Sequence, residues 1–63
     1  MYSLDEIGDN KREIIKYTAN ALKETGHSEI IENMEKRASY SKDHDTLIMY
    51  CQGYLDIANG IID

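Results

Sequence analysis

From Asp43 to Asp63 the chain carries no Lys or Arg and only four acids, Asp43, Asp45, Asp56 and Asp63, and between Thr46 and Leu55 it carries no charge at all. At ~100° per residue, Leu47, Ile48, Tyr50, Cys51, Tyr54, Leu55, Ile57, Ala58, Ile61 and Ile62 cover an arc of roughly 180° on a single helix. A helix that packs on one side needs an apolar stripe of only ~100°. One built this way requires two or more neighbours, which two other short helices supply only in part. The apolar surplus points to self-association or to a protein partner. No strong catalytic or ligand motif accompanies it.

Size sharpens that inference. A chain of 63 residues makes one domain, 1–63, with little core, and chains this short commonly add disulfides, a metal or oligomerisation. A single cysteine rules out an intrachain disulfide. Oligomerisation or unusually good helix packing remains. The lack of Pro, Trp and Phe suits a helical protein, and 41% hydrophobic residues is too many for a disordered tail. The start, MYSLDEIGDNKRE, lacks the basic-then-apolar order of a signal peptide, and no run reaches the ~18 apolar residues of a membrane span. With a lone thiol and no export signal, the expected location is the cytoplasm.

A formal net charge of −5 argues against nucleic-acid binding, which needs a basic face. The charge also alternates in blocks: acidic over 1–10, basic over 11–23, acidic over 24–35, basic over 36–42, acidic over 43–63. Such alternation predicts solvated helix faces that pair with one another.

Three helices follow from their ends. Ser3-Leu4-Asp5-Glu6 fits a capping box, with Tyr2 and Ile7 placed as a hydrophobic staple. A helix continuing through Gly8-Asp9-Asn10 would put Lys11 in the stripe of Leu4, Ile7, Ile15, Thr18 and Leu22. A break there is simpler: a short N-terminal turn over 3–9, then Asn10 capping a helix over 11–25. Gly26 ends that helix in the left-handed conformation. Ser28 is the next N-cap, opening a helix over 29–38 with Ile30, Ile31, Met34 and Ala38 inward and Glu32 and Lys36 in the favourable i, i+4 order. Asp43, with Ser41 as the alternative, caps a third helix over 43–59, which Asn59-Gly60 closes, with Ile61 folding back on the last turn. The short connections make neighbouring helices antiparallel. The expected fold is all-α, a small three-helix bundle with the third helix central, and a homodimer is one form its assembly could take.

The clusters that could carry chemistry have simpler readings. Asp43-His44-Asp45 offers two carboxylates beside an imidazole, but three consecutive residues do not converge on one ion at a helix start. Glu24 and His27 have the Glu-x-x-His spacing of di-iron bundles, but Gly26 ends the helix between them and no second copy exists. Cys51 lies at the centre of the apolar arc, where burial makes a thiol inert. The first two helices invite a helix-turn-helix comparison, but the second presents Glu29, Glu32 and Glu35, the wrong sign for DNA. Gly53 costs ~1 kcal/mol in mid-helix and reads either as a point of close helix approach or as tolerated drift.

The tyrosines remain. Tyr50 and Tyr54 lie one turn apart beside Ile57 and Ile61, with Tyr40 in the preceding loop. Tyrosine is enriched at interfaces because it joins apolar area to a hydroxyl that tolerates partial exposure; equally, these residues could close the rim of a small core. The expected function is a non-enzymatic protein–protein interaction module, a small acidic regulator or inhibitor that docks a Tyr/Ile helix face on a larger protein. Its anchors would be Tyr50, Tyr54, Ile57 and Ile61, and its rim Tyr40, Asp43 and Asp45. The alternative is a structural assembly subunit acting as a homo-oligomer. No cofactor or metal is expected; the partner is the chain itself or another protein, not nucleic acid or membrane.

Overall fold

Local capping chemistry sets the helix boundaries of this protein, whose computed structural model describes residues 2–5 and 7–60. Gly8, at φ 86°, turns the chain after a Leu4–Ile7 backbone hydrogen bond. Asn10 then opens α1, Lys11–Glu24, its Oδ1 accepting from the Glu13 N–H at 3.1 Å. The far end of α1 closes as a Schellman motif: Gly26 N donates to the Lys23 carbonyl (3.3 Å) and His27 N to that of Leu22 (2.8 Å). That arrangement needs a left-handed residue, and Gly26 has φ 82°.

A single 3-10 turn, Ser28–Ile30, leads into α2, Ile31–Ser39. The expected Ser28 cap is not made. Ile30 sits at the N-cap with no side-chain hydrogen bond, because the tighter turn takes up the residues that would have formed the first turn of the helix. The C-terminal carbonyls of α2 are met from outside: Ser41 Oγ donates to Ala38 O (2.7 Å) and Lys11 Nζ to Ser39 O (3.0 Å). Lys11 therefore avoids the apolar stripe by reaching a helix C-terminus, where a cation is favoured. Asp43 opens α3, His44–Ala58, accepting from the Thr46 N–H at 2.7 Å.

The molecule is all-helical among the described residues, with three α-helices wrapped on one core. Ile14, Thr18, Ala21 and Leu22 of α1, Met34 and Ala38 of α2, and Leu47, Cys51 and Leu55 of α3 are buried. The only buried polar residue among them, Thr18, satisfies its hydroxyl by donating to the Ile14 carbonyl at 2.9 Å. The third helix packs against both of the others, but it does not hold the centre alone. The most extensive packing joins α1 to α3, and α1 also packs on α2 and on the 3-10 turn, so α1 shares the centre.

The N-terminal segment is stitched across both long helices. Tyr2 N–H donates to Asn59 Oδ1 (2.7 Å), and Asn59 Nδ2 returns a bond to the Tyr2 carbonyl (2.9 Å). The Tyr2 hydroxyl donates to Glu24 (2.6 Å), and its ring meets Tyr17 edge-on at 6.0 Å. Tyr2 is thus a clamp between α1 and the end of α3; the Glu6 half of the capping box lies outside the described residues. Among the described residues the expected charge pairing between faces is not made. Among the described residues the one ion-pair contact is His44 Nε2 to Asp9 Oδ1, at 3.7 Å, and Glu32 does not pair with Lys36. No described helix is long and apolar enough to cross a membrane.

Candidate interaction groove on the third helix

The wide apolar arc of α3 is covered on one row only. Leu47, Cys51 and Leu55, spaced i, i+4, are buried, whereas Ile48, Tyr50, Tyr54, Ile57 and Ala58 are half-buried. Two short partner helices reach the middle of a 180° arc and leave its flanks to solvent.

On one flank these side chains form a groove of about 330 Å³, lined by Met49, Tyr50, Gly53, Tyr54 and Ile57 of α3 and by Arg37 of α2. Met49 is 63% exposed, a large apolar side chain with no cover. Gly53 forms part of the floor, and a Cβ placed on it would meet nothing within 4 Å. The glycine is therefore not required by any helix contact inside the molecule. Met49 and Gly53 stand one turn apart; Asp45 lies one turn before Met49, and Asp56 three residues after Gly53. Two acids therefore edge this strip on the side away from Tyr50 and Tyr54. Asp56 accepts from Gln52 Nε2 at 3.0 Å.

Of the residues expected at an interface, the structure gathers Tyr50, Tyr54 and Ile57. Tyr40, 78% exposed in the α2–α3 connection, does not line the groove. Nor do Asp43 and Asp45. The Asp43 carboxylate is engaged as a cap, and hydrogen bonding with Thr46 holds its pKa below the usual 3.8. Ile61 lies outside the described residues. Sequence reasoning left Met49 and Arg37 out of the site. Met49 falls outside the apolar arc, on the polar half of the helix, and reads as surface, and Arg37 comes from another helix. A lone exposed methionine beside a mid-helix glycine was the available signal.

Candidate chemistry elsewhere is limited. Cys51 is buried, and burial pushes its thiol pKa above the usual 9.0. Among the described residues no three His, Cys, Asp or Glu side chains converge as a metal-ligand set. Glu24 and His27 take separate partners, the Tyr2 hydroxyl and Thr25 Oγ1 (3.1 Å) respectively. Comparison with protein families, curated proteins and solved structures returns no match for this chain.

Proposed function

We propose that this protein is a non-enzymatic interaction module that docks the Met49–Ile57 face of α3 on another protein, acting as a small acidic regulator. The observation that carries this reading is the groove itself: an uncovered apolar strip with an adaptable methionine, two tyrosines and a glycine floor that no internal contact requires. Methionine repacks easily against varied partners, tyrosine supplies area at low entropic cost, and a glycine floor admits close approach of a partner side chain. Charge favours a partner that is basic around an apolar knob over a second copy, since two chains each carrying −5 repel.

The test begins with absolute mass by light scattering, from about 1 μM to about 1 mM protein. It continues with photo-crosslinking from position 49 in a lysate of the producing cells. A monomer throughout, with crosslinks to one basic protein that disappear in Tyr54→Ala, supports the reading. A dimer that Met49→Asp dissociates replaces it with the assembly role. Tyr54→Ala that fails to fold assigns that tyrosine to the core, and Met49→Asp then serves as the docking variant.

A further inference from the structure

A second groove, of about 570 Å³, runs between α1 and α2 and carries far more charge than the α3 groove, whose lining has Arg37 alone. Its lining follows helical spacing. Lys11, Ile15 and Ala19 form one i, i+4 row of α1; Arg12, Lys16 and Asn20 form the next; Glu35 and Ser39, one turn apart on α2, make the facing wall. Ile15 and Ala19 are half-buried and give the groove an apolar floor, while Arg12 and Lys16 are exposed along its rim. Lys11 is pinned at one end by its bond to the Ser39 carbonyl.

The charge balance here departs from the rest of the molecule. Acids outnumber bases twelve to seven, so carboxylates to pair with these three cations are plentiful in the chain. Yet among the described residues Lys11, Arg12 and Lys16 lie within ion-pair distance of none. Two cations along one rim of an apolar-floored groove, Arg12 and Lys16, with Lys11 held at its end and Glu35 alone opposite, are complementary to an anionic surface that also carries an aliphatic ridge. The separation from Lys11 to Asn20 is about 14 Å along the axis at 1.5 Å per residue, two to three helical turns.

We infer that the α1–α2 groove binds an acidic amphipathic helix of a partner protein. Two aliphatic side chains one turn apart on that helix rest on Ile15 and Ala19, and its acids face Arg12 and Lys16. Glu35 on the opposite wall repels acids and so fixes which flank of the incoming helix faces α1, giving the site an orientation. A nucleic-acid backbone or an anionic bilayer would satisfy the cations but would also meet the acid-rich remainder of the chain, and neither has a use for the short Ile15–Ala19 floor. This surface is separate from the α3 groove and its occupation does not depend on that reading.

The experiment uses the full chain, 15N-labelled, titrated with a helical peptide of about 14 residues, long enough to cover the groove. The peptide carries leucines one turn apart and glutamates along one flank. Saturable shifts are expected at Lys11, Arg12, Ile15, Lys16, Ala19, Glu35 and Ser39, weakening as salt rises. Affinity should fall at least tenfold in R12E/K16E, whose side chains are exposed, and stay unchanged in Met49→Asp. If R12E/K16E does not fold, R12Q/K16Q carries the same expectation with a smaller loss. The inference is overturned by no saturable binding up to about 1 mM, or by equal binding of a leucine-to-serine peptide. It is equally overturned by tighter binding of a short single-stranded DNA or of phosphatidylglycerol vesicles. Shifts of these same residues with protein concentration alone, showing a second copy in the groove, also overturn it.

Discussion

Gly53 and Cys51 lie two residues apart on α3 and show how burial decides what a side chain can do. Cys51 faces the core with no exposed surface, and burial holds its thiol protonated. Its reaction with a disulfide reagent should therefore follow opening of the fold, running about a hundredfold or more slower in the native protein than in the unfolded chain. A native rate near that of the unfolded chain would place the thiol at the surface. Gly53 faces the groove, where an added methyl would meet nothing within 4 Å. Gly53→Ala should accordingly stabilise the fold by about 0.5–1 kcal/mol, through helix propensity alone, and raise the melting temperature. If the groove receives a partner, the same variant binds it more weakly. A more stable protein with unimpaired docking would show that the glycine is mere drift.

At the scale of the elements, the helix ends were the most legible part of the sequence. Asn10 and Asp43 cap α1 and α3, and Gly26 ends α1, because each of these choices is made within about five residues of chain. Ser28 is the counter-example. Its sequence context reads as a cap, but the connection from Gly26 is short enough that a 3-10 turn carries the chain into α2 instead. The Asp43 cap has a pH signature. Its folded pKa is lowered by hydrogen bonding with Thr46, so its contribution is fully present above the usual 3.8 and is lost as pH falls through the lowered value. Thermal melts in that acid range should show this loss in the wild type. Asp43→Asn retains a capping oxygen without a titrating group, so its neutral-pH stability should be similar and its acid slope shallower. Identical slopes would mean that other carboxylates govern the acid transition.

For the whole molecule, a radius of gyration of 10.4 Å is close to the ~10.6 Å that compact chains of this length show, so the three helices and the N-terminal segment pack closely on one another. The Tyr2–Asn59 exchange of two hydrogen bonds joins residues 57 positions apart and ties the N-terminal segment to the end of α3. Asn59→Ala should cost about 1–2 kcal/mol and speed hydrogen exchange at the Tyr2 amide, while the α1–α3 core stays protected. Unchanged exchange at Tyr2 would mean that the Glu24 and Tyr17 contacts hold the segment unaided.

Helical periodicity, the caps and the breadth of the third helix's apolar arc were all present in the sequence, since each depends on neighbours within a turn or two. So was the surplus: an arc near 180° cannot be covered by two short helices, and Tyr50, Tyr54 and Ile57 remain half-buried. Which edge of that arc stays open, and that Met49 and Arg37 join it while Tyr40 and Asp43 do not, was decided by where α2 lies beside α3. The basic groove was decided in the same way. Lys11, Arg12 and Lys16 read as one more charged face until α2 sets Glu35 and Ser39 opposite them. A groove belongs to two elements at once, and its walls come from distances between helices that no single helix's periodicity contains.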